Sequence, residues 1–132
     1  MGQCALGQEH KAITVGTAHG LPFSDGILAG NTLYIAGPGG DDESGQPVPG
    51  GIVAETKVTL ANLAKVAKAA GFEMKDIVSV TVYLADFKDF AAMNKVYKDV
   101  MPDPKPARTT IQAAGLLNNA RIEIAAIAVK RR

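Results

Sequence analysis

The chain has no tryptophan, one cysteine and two histidines in 132 residues, and only 5% of it is aromatic. The single thiol, Cys4, closes no internal disulfide, so stability rests on packing and hydrogen bonds, and thiol poverty fits a reducing compartment. His10 and His19 have no metal-ligand spacing and no neighbouring cysteine, so no metal is expected. Charge of one sign is also missing. With 14 Lys plus Arg against 13 Asp plus Glu, the formal net charge is +1, and no global field draws in nucleic acid or an anionic membrane. The only basic run, Lys130-Arg131-Arg132, reads as a solvated tail. No apolar stretch approaches the length of a membrane span, and residues 1–20 lack the basic start and apolar core of a secretion signal. The expected compartment is the cytoplasm; the leader Met1-Gly2-Gln3-Cys4-Ala5 also fits the remnant of a trimmed precursor or a cloning scar. The absence of G-x-S-x-G, H-E-x-x-H and dinucleotide fingerprints argues against a serine hydrolase, a zinc protease and a Rossmann enzyme.

What is present reads as one domain, residues 21–132, behind a leader and first short strand in residues 1–20; this length buries roughly two-thirds of the unfolded surface. A β-prone run covers Lys11 to Val15. Residues 23–29 and 32–36 are β-rich and joined by Gly30-Asn31, a pair that tolerates the positive φ of a tight hairpin. Residues 37–51 concentrate glycine and proline with Asp41, Asp42 and Glu43; without a Walker lysine or EF-hand spacing, they read as a solvated surface loop. From Ile52 to Ala70 the period becomes helical, with Leu60, Leu63, Ala64, Ala67 and Ala70 on one stripe and Gly71 as the stop.

Residues 77–85 alternate Val78, Val80, Val82 and Leu84 with Ser79, Thr81 and Tyr83, the pattern of a half-buried strand. Asp86, with Asp89 in the first turn, caps a second helix whose stripe is Phe90, Met93, Tyr97 and Val100 or Met101; Asn94 falls unexpectedly on it. The run Asp103-Pro104-Lys105-Pro106 then holds the backbone extended into two closing strands. The order β-β-β-α-β-α-β-β implies an α+β domain with both helices on one face of a mixed sheet, and an apolar opposite face that predicts oligomerisation.

Arg108 stands out among the polar residues, because its neighbours offer no carboxylate and the Pro106-Ala107 lead-in fixes its direction. A guanidinium so placed is a planar fork matched to a carboxylate. Asn94 reads either as a buried amide satisfied by backbone or as a donor to a ligand. Glu123 lies on a strand face with Arg121 and Ala125; cross-strand pairing with a basic residue is the expectation, general-base work the alternative.

The segments Phe90-Ala91-Ala92-Met93-Asn94-Lys95-Val96-Tyr97, Pro106-Ala107-Arg108 and Arg121 to Val129 resemble the RidA (YjgF) family of reactive intermediate deaminases, and the likeness runs from about Leu21 to the C-terminus. The resemblance implies a chorismate-mutase-like, ferredoxin-like subunit with a six-stranded mixed sheet, assembled as a homotrimer with pockets between subunits. It implies hydrolysis of 2-imino acids, such as 2-iminopropanoate and 2-iminobutanoate, to 2-keto acids and ammonia with neither metal nor organic cofactor. Arg108 matches the family's essential arginine and is expected to clamp the substrate carboxylate. Phe23 stands in the place of the family's pocket tyrosine, Ala36 and Gly37 in that of its Ser-Gly, Asn94 matches its helix asparagine, and Thr110 stands where many members carry cysteine.

The chain departs from that pattern at Ala125, where deaminases of the family carry a glutamate that orients or activates the attacking water. Glu123 is one pleat period away, about 7 Å along the strand. The alternatives that follow are a protein that binds small carboxylates without turnover, or a holdase-type chaperone. The family's older labels, endoribonuclease and translation inhibitor, find no support in the charge distribution.

Overall fold

The computed structural model describes residues 9–16 and 20–130; Cys4, His19 and the Arg131-Arg132 end of the basic run lie outside them. Six strands are numbered β1 (His10–Ile13), β2 (Gly26–Ala29), β3 (Thr32–Ile35), β4 (Ile77–Leu84), β5 (Ala107–Gln112) and β6 (Ile122–Val129). Two helices, α1 (Gly51–Ala69) and α2 (Phe90–Val100), complete the α+β fold. The strands form one mixed sheet in the order β1-β2-β3-β6-β4-β5, with β4 and β5 parallel and every other neighbour antiparallel. β1 is shorter than its β-prone run and β2 begins at Gly26 rather than Phe23, because pairing across the Ala29↔Thr32 hairpin extends only as far as Gly26↔Ile35 and Ile13↔Gly26.

Alternation decides the two faces. Ile35, Val80, Val82, Leu84, Ile122, Ile124, Ala126 and Ala128 point to the helix side and are buried. They meet Leu60, Leu63, Val66 and Ala67 of α1 and Met93, Val96 and Tyr97 of α2 in one core. The opposite face carries Tyr34, Thr81, Tyr83, Glu123, Ala125 and Ile127, none of them fully buried, and no helix covers it. The stripe on α1 is wider than apolar periodicity indicates, since Glu55, Thr56 and Thr59 are buried too. Thr59 donates its hydroxyl to the Glu55 carbonyl at 2.6 Å, the local bond that lets a threonine enter a helix interior.

Helix ends follow their chemistry. At the end of α1, Phe72 N–H donates to the Ala67 carbonyl (2.8 Å) and Gly71 N–H to that of Lys68 (3.0 Å), with Gly71 at φ +81°. This is a Schellman cap, sealed by the buried Phe72 ring. Asp86 accepts from Lys88 N–H at 2.9 Å, but it caps a 3-10 turn, Phe87–Asp89, that precedes α2. Asp89, the N-cap residue of α2, is buried and makes no side-chain cap hydrogen bond. It takes the Arg121 guanidinium at 3.2 Å, while Glu55, 4% exposed, accepts Arg121 N–H at 2.9 Å. One arginine thus joins α1, the start of α2 and the start of β6.

The glycine-rich stretch after β3 is less solvated than its composition suggests. Ile124 N–H donates to the Pro38 carbonyl at 3.1 Å and Gly39 bridges Glu123, so the loop adds a short rung beside β6. Gly40 is buried against α1, and Asp42 accepts from Ser44 N–H (2.9 Å) and the Ser44 hydroxyl (2.6 Å). Among the described residues, no helix is long and apolar enough to cross a membrane.

Candidate active site

β5 lies at the border of the sheet, beside β4 alone. In the parallel register Arg108 stands opposite Val80, Thr110 opposite Val82 and Gln112 opposite Leu84, so all three point to the helix side. There Arg108 meets aromatic rings in place of a carboxylate: its Cζ lies 4.7 Å from the Tyr97 centroid and 5.7 Å from that of Phe90. Among the described residues it makes no ion pair. Asn94, half-buried one turn beyond Phe90 on α2, makes no side-chain hydrogen bond among them either. An uncompensated guanidinium and an unpartnered amide beside an apolar wall can bind a small organic anion. Gln112, outside the expected set, accepts Phe87 N–H at 2.7 Å and fixes the turn leading into that wall. Its i, i+2, i+4 spacing from Arg108 and Thr110 was the available signal.

The other expected residues form a second group. Glu123 and Ala125 pair with Tyr83 and Thr81 on the bare face. Gly37 is pressed against Glu123: a Cβ added there would stand 2.9 Å from Glu123 Oε2. Ala36 is exposed beside Gly37, and Phe23, in the turn before β2, is 57% exposed. The expected cross-strand pairing of Glu123 with a basic residue fails, because the residues opposite it are Tyr83 on β4 and Gly39 in the loop after β3. Glu123 has no cationic partner among the described residues; burial raises its pKa, and the Asp41 carboxylate raises it further. Asp41 is raised in turn by burial and then by Asp42. One copy of the chain therefore holds Arg108, Thr110 and Asn94 on the helix side and Glu123, Ala125 and Gly37 on the opposite side.

A raised carboxylate pKa means that the folded chain keeps its proton on Glu123 over an interval in which the unfolded chain has released it. Stability consequently falls as pH climbs from the ordinary glutamate range through the native pKa. Glu123→Gln keeps the protonated shape without the charge. Its melting temperature should exceed that of the wild type at pH 7, and the difference should close below about pH 4.3, where both carboxyls are protonated. Equal melting temperatures across that range, followed by calorimetry, would remove the burial and Asp41 effects from the account.

The sequence profile of the family described as Endoribonuclease L-PSP matches residues 16–130. The chain belongs to this family, the RidA (YjgF) family. A relative from Capra hircus named 2-iminobutanoate/2-iminopropanoate deaminase is 46% identical over 110 residues, 83% of this chain and 80% of that protein. The Homo sapiens protein of the same name is 42% identical over 110 residues, again 83% and 80%. A Schizosaccharomyces pombe relative, named protein mmf2, mitochondrial, is 40% identical over 115 residues, 84% of this chain and 90% of that one. The crystal structure of the E. coli YjgF gene product superposes with a TM-score of 0.84 at 31% identity, covering 92% of this chain and 99% of that one. RidA from the Antarctic bacterium Psychrobacter sp. gives 0.84 at 31% identity, covering 91% and 99%. The six-stranded mixed sheet carrying two helices is thus the RidA fold.

Proposed function

We propose that this RidA-family chain hydrolyses small 2-imino acids, of the 2-iminopropanoate and 2-iminobutanoate class, to 2-keto acids and ammonia. The observation that carries the reading is Arg108, a guanidinium with no carboxylate partner among the described residues, lying over Tyr97 and Phe90 of α2, the helix that also carries the unpartnered Asn94 amide. The names of the goat and human relatives support the same chemistry.

In this reading Arg108 holds the substrate carboxylate and fixes the imine carbon for attack. Water adds to that carbon, a proton passes to nitrogen, the C–N bond breaks and ammonia leaves. Thr110 and Asn94 hydrogen-bond the substrate, and no metal or organic cofactor takes part. Arg108 and Glu123 occupy opposite faces of one sheet, so a second copy presenting its Gly37, Glu123 and Ala125 side to the Arg108 edge completes the site, with Phe23 and Ala36 at the mouth. The proposed assembly is the family's homotrimer. Glu123, with its elevated pKa, is suited to deliver or accept the proton. The proposed compartment is the cytoplasm, although the mitochondrial name of the fission-yeast relative makes the mitochondrion the competing assignment.

A second reading, capture of 2-keto acids without turnover, rests on the sequence resemblance, which places a family glutamate at the position of Ala125. The two readings separate when 2-imino acids are generated by an amino-acid oxidase and keto-acid release is followed. Deamination predicts release faster than the uncatalysed background, accelerated further in Ala125→Glu by about 10²-fold, the low end of general-base effects. Saturable keto-acid binding with release at the background rate would establish the second reading.

A further inference from the structure

An arginine that grips an anion must be held in place without being neutralised. A carboxylate neighbour holds it but occupies N–H donors and cancels charge, as Glu55 and Asp89 do to Arg121. Arg108 is held by rings instead. We propose that Tyr97, together with Phe90, is a positioning residue for Arg108: the two rings form a shelf for the flat face of the guanidinium and leave its N–H edge open to an incoming carboxylate. This rests on the reading that Arg108 receives the substrate carboxylate.

Four observations build the shelf. Tyr97 is 5% exposed on the packed side of α2, so the core fixes the plane of its ring. Its hydroxyl is buried with no partner among the described residues, so the ring is what bears on Arg108. Phe90 is buttressed by Phe87, edge to face, at 6.1 Å between centroids and 85° between planes. Phe87 is held through its N–H by Gln112, on the same strand and face as Arg108. β5 therefore sets both the cation and one end of the surface on which it lies. A guanidinium stacked on a ring keeps its charge and its five donors, which a salt bridge does not allow.

The test uses the full-length protein labelled with nitrogen-15, the Arg108 side-chain resonances and pyruvate as the probe. In the wild type, ring currents should displace the Arg108 resonances upfield. Tyr97→Phe should preserve the displacement and keep the pyruvate Kd within about twofold, while Tyr97→Leu should abolish it and raise the Kd about tenfold. Phe90→Leu, at a side chain 39% exposed, should raise the Kd about threefold and carries the test if Tyr97→Leu does not fold. The shelf is overturned if the displacement survives in the folded leucine variants, or if Tyr97→Phe binds as weakly as Tyr97→Leu. Unchanged pyruvate binding in Arg108→Ala would overturn the carboxylate reading and the shelf's purpose together. Loss of the displacement without any change in Kd would overturn the shelf alone.

Discussion

Arg108→Ala should lose about 10²–10³-fold in kcat/KM for 2-imino acids, which corresponds to about 2.7–4.1 kcal/mol of transition-state stabilisation. The size follows from what is removed: a charged fork able to make two parallel charge-assisted bonds to one carboxylate. Because Arg108 has no ion-pair partner among the described residues, the variant leaves no carboxylate stranded. Its folding stability should drop by no more than about 0.5–2 kcal/mol, the worth of the lost ring contacts. Arg108→Lys should recover only part of the rate, since an ammonium supplies a point charge without the planar fork. Equal keto-acid release by wild type and Arg108→Ala would end the deaminase reading. The same oxidase-coupled assay, with thermal unfolding alongside, measures both quantities.

Gly40→Ala should be the most damaging substitution among the glycines of the loop after β3. A Cβ there would stand 2.4 Å from the Glu55 carbonyl oxygen and 2.7 Å from the Glu55 Cα, backbone atoms of α1 that cannot turn aside. The loop or the helix must shift, at an expected cost of about 3 kcal/mol. For a domain of this size that lowers the melting temperature by about 10 °C. Gly45 is the control: it has φ +83° but open space around it, so alanine there costs about 1 kcal/mol of backbone strain. Activity should fall with Gly40→Ala as well, since Gly40 is next to Asp41, whose carboxylate acts on Glu123. A melting temperature within about 2 °C of the wild type would show that the loop can give way.

How far the residues alone foretold this arrangement varied with the kind of interaction. Local patterns were legible: alternation in residues 77–84, the Gly30-Asn31 hairpin and the Gly71 stop each follow from one or a few neighbouring residues. Interactions between distant segments were not. Glu55 and Asp89 look like ordinary solvated acids until folding brings them to Arg121, 66 and 32 residues away. Nor is a cation found across the strand from Glu123, where Tyr83 and Gly39 stand. The loop at 37–51 reads as solvent-facing by composition, yet Pro38 and Gly39 extend the sheet, Gly40 packs on a helix and Gly51 begins that helix. For the candidate site, the helical spacing of Phe90, Asn94 and Tyr97 and the absence of acids near Arg108 were readable. The separation of Arg108 from Glu123 onto opposite faces required the register of β4 with both β5 and β6.

The position of β5 at the rim of the sheet carries a further consequence. An outermost strand offers free backbone donors and acceptors to any extended peptide, the usual seed of fibrous association. Here the approach to the strand holds Pro102, Pro104 and Pro106, none of which has an N–H to give. An invading chain could match at most Ala107 to Gln112 before running out of rungs, so the rim that displays the cation is also blunted against runaway polymerisation.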